Sequence, residues 1–234
     1  MAENFDFEKS WLAKFSACLT EKAGDEVKID LMKGSDTFSK NTSTDEIFRW
    51  SQYVMKRLDA LLEEERRIDI MTECACQYPK EELQDVKKTY EETKDIDIAH
   101  QMLQEKFEIF LKDTLNLSEK YYNFIVERGW GLAGIKKENK IIATKIPKSG
   151  DISDYMEEKD PEKKKAYYCH CPRIRSALQK PGAMISPTYC YCGAGFYKGI
   201  WEEILQQSVE VKVLESVFNG GDVCKIEISL PSDK

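Results

Sequence analysis

Three pairs of cysteines, each with one residue between its members, are the strongest indication of chemistry in this 234-residue chain. The pairs are Cys74/Cys76, Cys169/Cys171 and Cys190/Cys192. Thiolates bind soft metal ions and act as nucleophiles. Because the chain has only two histidines, His100 and His170, we expect any metal to be held mainly by sulfur. With one further cysteine the candidate metal ligands are Cys74, Cys76, Cys169, Cys171, Cys190, Cys192 and Cys224.

The two later pairs differ in the geometry that they can offer. Same-face residues of a strand stand about 6.6–6.8 Å apart, whereas two thiolates on one zinc ion lie about 3.8 Å apart, given Zn–S bonds of about 2.3 Å. A strand at Cys169–Cys171 therefore needs a bend, which Pro172 could supply. Cys190 and Cys192 are predicted to begin a helix, whose positive dipole end favours thiolate over thiol.

The remaining pair, Cys74 and Cys76, is predicted to lie at a junction between two helices, because Pro79 follows it closely and proline ends a helix. Residues two apart on a regular helix do not share a face, but an irregular helix end can turn both thiols toward one point. The alternative is that both simply fill a tight corner, since free cysteine is often buried.

Four interpretations of the thiols stay open. Zinc held by four of them is the first, and an iron–sulfur cluster on the same residues is the second. In the third, a thiolate such as Cys190 is the nucleophile of a hydrolase or transferase, with His170 or Glu215 as base. In the fourth, all are ordinary buried thiols.

Aromatic residues close to these cysteines could line an apolar pocket for a small molecule. The candidates are Tyr189, Tyr191, Phe196 and Trp201. Arg173 follows the first of the two later pairs and could clamp a carboxylate of the ligand. Plain core aromatics and a solvated arginine are the alternatives.

Helical periodicity dominates residues 1–131. A helix is predicted from Phe5 to Lys22, and Ser43-x-x-Glu46 has the form of a capping box that opens a second helix extending to about Thr72. The second helix has an apolar stripe: Ile47, Phe48, Val54, Met55, Leu58, Leu61 and Leu62. His100 lies among helical residues without a cysteine or acid at ligand spacing, so it is predicted to be structural.

Residues 139–234 are predicted to form a cysteine-rich half that combines helix with strands. Lys140–Ile146 is expected to be a strand, Gly193–Gln206 a helix, and the alternating valines and isoleucines after residue 208 a hairpin that turns at Asn219–Asp222. The fold class is therefore α+β. A helical N-terminal half packs with a small antiparallel sheet and a helix in the C-terminal half, and residues 1–234 form a single domain.

Charge and hydropathy restrict the partners. The formal net charge of −7 repels a phosphate backbone, so nucleic acid is not expected. The N-terminal residues lack the pattern of an export signal, and no run of about 18 apolar residues could span a bilayer. We expect a cytoplasmic protein whose thiols stay reduced. A homodimer remains open.

The C-terminal third resembles a known family. The resemblance is based on three motifs: Cys-x-Cys-Gly-x-Gly-Phe at Cys190–Phe196, the segment SVEVKVLESV, and NGGDVCKIEI, which contains Gly-Asp-x-Cys. This pattern resembles the ligand-binding domain of the vinyl-reductase type, related in fold to the small TRAPP components. A bacterial family of uncharacterised proteins and the family named for aminothiazoline-carboxylate hydrolase are similar over the same segment, about residues 165–230.

The resemblance implies a cysteine-rich zinc site beside an apolar pocket for small aromatic ligands. It places Cys190 on the cysteine that starts the helix. It also places Ser216 where sensor members carry a further cysteine and Val213 where they carry a glutamate ligand. The family's zinc site is thus incomplete here, and Cys169, Cys171, Cys192 or the Cys74/Cys76 pair could replace the missing ligands.

The function expected from these observations is binding of a small apolar or aromatic molecule, as a sensor or accessory protein, with a cysteine-ligated zinc ion. A cysteine-dependent hydrolase or transferase, or an iron–sulfur protein, is the alternative.

Overall fold

A computed structural model describes residues 5–180 and 182–231 of the chain. Within that part the α-helices are α1 (Phe7–Ala23), α2 (Asp25–Met32), α3 (Thr44–Leu61), α4 (Glu64–Glu73), α5 (Gln84–Thr93), α6 (Ile96–Ile109), α7 (Glu119–Val126), α8 (Ile152–Glu157), α9 (Pro161–Tyr168) and α10 (Tyr191–Leu205). The strands are β1 (Ile135–Lys137), β2 (Lys140–Thr144), β3 (Glu210–Glu215) and β4 (Lys225–Ser229). The α+β class predicted from sequence is confirmed.

The chain divides into two compact units, and each is discontinuous in sequence. Unit 1 consists of Met1–Cys76 and Cys171–Gly195. Unit 2 consists of Gln77–His170 and Phe196–Lys234. The Cys169/Cys171 pair is therefore divided between the two units.

Unit 1 is built from α1 to α4 and from the segment 171–195. The predicted capping box is confirmed, since the Ser43 side chain accepts a hydrogen bond from the Glu46 N–H at 3.3 Å and α3 begins at Thr44. Most of the predicted stripe is buried, with Leu58 fully enclosed, but Leu61 at its end is exposed. Helix α3 thus packs through the face that the periodicity predicts.

The prediction that this helix continues to about Thr72 is wrong. Leu62 takes an extended conformation, and α4 starts at Glu64. Acidic residues in the first turn of α4 interact favourably with the positive end of its dipole. Arg67 stabilises the break, because its Nη1 donates at 3.1 Å to both the carbonyl and the side-chain carboxylate of Asp59 in α3.

The segment 171–195 is mostly irregular, with 3-10 turns at Arg175–Gln179 and Pro187–Cys190 before α10. Side chains of α3 hold it, since Gln52 donates to the Met184 carbonyl at 2.6 Å and Thr188 donates to Asp59 at 3.4 Å. The strand considered at Cys169–Cys171 is not formed, because α9 extends to Tyr168 and Cys169 is its C-terminal cap.

Unit 2 contains an antiparallel sheet with strand order β1-β2-β4-β3. The predicted C-terminal hairpin is confirmed: Val211 pairs with Ile228 and Val213 with Ile226. Strand β2 lies on the other side of β4, where Ile141 pairs with Ile228. The strand β1 was not predicted from the sequence.

The hairpin turn in unit 2 is closed by a side chain. A carboxylate oxygen of Glu215 accepts hydrogen bonds from the N–H groups of Asp222 at 2.9 Å and Val223 at 3.3 Å. Glu215 also pairs with Lys225 at 3.2 Å. Although burial raises the pKa of Glu215, these contacts outweigh it and lower the pKa overall.

Two aromatic residues, Tyr168 and His100, bring polar groups into the core of unit 2 and place them against backbone groups. The buried Tyr168 hydroxyl accepts from the Cys224 N–H at 3.0 Å and donates to the Lys145 carbonyl. His100 is structural, as predicted, since its Nε2 lies 3.0 Å from the Gly134 carbonyl oxygen and its ring stacks on Trp201.

No helix within residues 5–180 and 182–231 combines the length and the apolar character needed to cross a membrane.

Candidate functional site

A buried ion pair lies in unit 1, between the first helix and the segment 171–195. Arg173 Nε donates to the Glu8 carboxylate at 2.9 and 3.1 Å, and Nη2 donates to it at 2.9 Å. Only 1% of the Arg173 side chain and 5% of the Glu8 side chain are exposed. This is the bidentate geometry in which arginine binds a carboxylate most strongly. The carboxylate that Arg173 holds belongs to Glu8, so the predicted contact with a carboxylate of a ligand stays untested, and the alternative of a solvated arginine is wrong.

Aromatic rings complete the environment of the Arg173 guanidinium. Its central carbon lies 3.7 Å from the ring centre of Trp11 and 5.5 Å from that of Trp50. Its Nη1 donates to the Tyr189 hydroxyl at 3.2 Å. Burial alone lowers the Arg173 pKa, but Tyr189 and Glu8 outweigh burial, so the pKa is raised and the group stays charged.

The Tyr189 hydroxyl connects the ion pair to the thiol of Cys171. The oxygen and Cys171 Sγ are 3.7 Å apart. Burial raises the pKa of Cys171, and Cys192 raises it further, whereas Tyr189 and Arg173 oppose the rise. Burial also raises the Tyr189 pKa well above its usual range. Both groups are therefore protonated at neutral pH.

Cys192 receives a hydrogen bond from Trp11. The indole Nε1 donates to Cys192 Sγ at 3.5 Å. Cys192 is half-buried and is the second residue of α10, near the positive end of the helix dipole.

Cys74 is the C-terminal cap of α4 and lies near Cys192. Its own thiol donates to the Met71 carbonyl at 3.3 Å and is completely buried. Burial, followed by the nearby Cys192, raises the Cys74 pKa well above its usual range. We call Cys74, Cys171 and Cys192 the thiol cluster.

A close backbone contact between α4 and α10 positions two members of the cluster. A Cβ atom on Gly195 would lie 2.0 Å from the Thr72 carbonyl oxygen, so only glycine fits there. Cys192 precedes Gly195 by three residues and lies on the same face of α10. Cys74 follows Thr72 by two residues.

The other predicted site residues fall in several places. Cys76 is exposed, and Cys190 is half-buried in the 3-10 turn before α10. Tyr189 is buried in the site, and Tyr191 is the half-buried first residue of α10.

The predicted residues of unit 2 comprise Cys169, Cys224, Phe196 and Trp201. Trp201 is fully buried, and within the part of the chain that the structure describes its Nε1 lacks a hydrogen-bond partner. His170 and Glu215, the candidate bases, also belong to unit 2, where His170 Nε2 lies 2.7 Å from the Ile146 carbonyl oxygen.

Across residues 5–180 and 182–231, no three His, Cys, Asp or Glu side chains are grouped so that they could hold a metal ion as they stand. All eight cysteines of the chain lie in this range, and none of them is in a disulfide.

Glu8, Trp11 and Trp50 belong to the site but were not predicted as site residues from the sequence. A signal for Glu8 is present, because it lies three and four residues before Trp11 and Leu12 on the apolar face of α1. A carboxylate on a buried helix face requires a partner, and a cation elsewhere in the chain is the simplest one.

Comparison with known proteins gives one result. Residues 153–234 match a family of unknown function (DUF6144). No match was found among curated proteins or among solved structures. The matched range includes Arg173, Cys171 and Cys192 but not Glu8 or Cys74, so the family covers only part of the site.

Proposed function

We propose that the protein binds a small apolar or aromatic molecule with the help of a cysteine-ligated metal ion, zinc in the first instance, and that the thiol cluster supplies the sulfur ligands. The main supporting observation is that unit 1 contains three predicted ligands from distant stretches of the sequence, Cys74, Cys171 and Cys192. Cys192 and Cys171 contact Trp11 and Tyr189, whose rings stack, and Cys74 follows the Thr72 carbonyl that meets α10. Soft thiolates favour zinc over hard cations. A reducing compartment such as the cytoplasm, which the proposal assumes, keeps these ligands available.

Metal binding by these thiols requires a local rearrangement. The three sulfurs are not grouped at ligand geometry, so they must turn toward a common point as the ion binds. The sites of many small metalloproteins form only on binding. The Glu8–Arg173 pair and the α4–α10 contact hold the surrounding backbone, which leaves the cysteine side chains as the parts that move.

Bound zinc must displace protons from this cluster. The pKa values of Cys74 and Cys171 are both raised by burial, so both enter as neutral thiols at pH 7. Apparent zinc affinity is therefore expected to rise with pH, and binding to release protons. The positive charge of Arg173, which lies beside Tyr189 and Cys171, reduces the electrostatic repulsion between the thiolates that bind the ion.

Elemental analysis and zinc titration test the proposal. Protein purified without chelator is expected to carry close to one equivalent of zinc, and less than about 0.2 equivalents of zinc plus iron contradicts a closed metal site. Iron with a brown colour instead indicates an iron–sulfur cluster on the same thiols.

A pair of variants locates the ligands. Cys192→Ser is expected to weaken zinc binding by at least tenfold, because one of its sulfurs is gone. Cys224→Ser removes one thiol from unit 2 and serves as the matched control, with binding unchanged. Equal losses in both variants exclude the thiol cluster as the site. Binding of small aromatic molecules is then followed by tryptophan fluorescence with and without zinc, since Trp11 contacts Cys192 directly.

A further inference from the structure

We propose that Cys192 and Cys74 form a two-cysteine redox centre, which cycles between dithiol and disulfide by exchange with a small external disulfide. The pair consists of a half-buried cysteine at the start of α10 and a fully buried cysteine at the end of α4, the helix that packs closely against α10. This activity does not depend on the metal ion of the preceding proposal, and it uses only two of the three thiols.

Close backbone packing of α4 against α10 places the two cysteines near each other. Because Gly195 contacts the Thr72 carbonyl with no room for a Cβ atom, the second turn of α10 packs directly against the last turn of α4. Cys192 lies one turn before this contact and Cys74 immediately after it. The Lys14 ammonium also donates to the Ala75 carbonyl at 3.1 Å, which fixes the chain beside Cys74 to α1. These contacts hold the backbone on both sides of the pair.

The two cysteines differ in the way that a dithiol exchange centre requires. Cys192 is the more accessible, and its sulfur accepts a hydrogen bond from the Trp11 indole N–H at 3.5 Å. Cys74 is completely enclosed, and its thiol donates to the Met71 carbonyl at 3.3 Å. Cys192 is thus the attacking sulfur, and Cys74 completes the reaction.

The reaction proceeds in two balanced steps. Cys192 thiolate attacks one sulfur of the external disulfide, the S–S bond of that molecule breaks, and the first small thiolate leaves and takes up a proton. Cys74 then loses its proton and attacks the Cys192 sulfur, and the second small thiolate leaves and is protonated. Two protein thiols are oxidised by two electrons in total, and one external disulfide is reduced to two thiols.

The test uses the full chain after chelator treatment, so that a metal is absent and failure of the zinc proposal does not affect the result. Protein is equilibrated in mixtures of reduced and oxidised glutathione, alkylated and mapped by mass spectrometry. We expect two thiols to disappear together and a Cys74–Cys192 disulfide to form. A Cys171–Cys192 disulfide, or glutathione adducts without any internal disulfide, overturns the proposal.

Variants separate the two roles. Cys74→Ala is expected to accumulate a glutathione adduct on Cys192, because the second step is blocked. Cys192→Ser is expected to react at least tenfold more slowly with oxidised glutathione, and Cys224→Ser at the wild-type rate. If Cys192→Ser and Cys224→Ser react equally, Cys192 is not the attacking group. Circular dichroism checks the fold of each variant, and the wild-type disulfide map decides the question should Cys74→Ala fail to fold.

Discussion

Removing the charge of Glu8 is expected to destabilise the protein strongly. In Glu8→Gln the Arg173 guanidinium loses the counter-ion of both its Nε and Nη2 donors, yet it stays buried in the folded protein. Hydrogen bonds to charged groups contribute about 1.5–3 kcal/mol each. Breaking one side of a buried pair costs about 3–5 kcal/mol, because an uncompensated charge is left behind. We expect a loss in that range.

Urea unfolding at neutral pH, followed by circular dichroism and tryptophan fluorescence, measures the loss. Asp25→Asn is the control, since it breaks the Lys28–Asp25 pair on the surface at 3.2 Å, and its effect is expected to be much smaller. The double variant Glu8→Gln/Arg173→Met removes both charges and should regain most of the stability. A loss below about 1 kcal/mol for Glu8→Gln, or a double variant weaker than the single one, refutes this account of the pair.

Two further results are expected. Gly195→Ala places its Cβ 2.0 Å from the Thr72 carbonyl oxygen, so it should lower the free energy of unfolding by about 1–3 kcal/mol through overpacking. Gly199→Ala, in the same helix, meets nothing within 4 Å and should raise that free energy by about 0.5–1 kcal/mol through helix propensity. Equal urea midpoints for the two variants contradict the close contact. Burial, with Glu73, raises the Cys18 pKa from 9.0 to about 11, so its stabilising contribution is complete below pH 9 and is lost as pH approaches about 11. Between pH 9 and 11 the free energy of unfolding should decline less steeply with pH in Cys18→Ala than in the wild type. An identical slope in both argues against the raised pKa of Cys18.

Elements defined by local rules were the ones that the sequence predicted well. The start of α3 follows from Ser43 and its apolar spacing, and the β3–β4 hairpin follows from alternating valines and isoleucines. The break at Leu62 was missed because its stabilisation comes from Arg67 and Asp59, whose contact depends on how two helices meet. Strand β1 is only three residues long and forms by pairing with β2, which no local pattern indicates.

The candidate site was predicted in its residue types but not in its connections. Each Cys-x-Cys pair suggests two ligands for one point, yet Cys74 is buried and Cys76 is exposed, while Cys169 and Cys171 belong to different units. Residues two apart point in different directions wherever the chain is helical or turning. The thiol cluster therefore takes single residues from three stretches, and only the folded chain brings them together.

The Glu8–Arg173 pair also constrains the order of events during synthesis. Its partners are 165 residues apart, so the ribosome must produce most of the chain before Glu8 can meet its cation. Until then the nascent helix α1 carries a carboxylate on the face that it must bury, and docking of that face is unfavourable. Unit 1 consequently cannot reach its final packing from the N-terminal residues alone. Long-range closure of this kind slows folding and prolongs the exposure of the apolar face of α1.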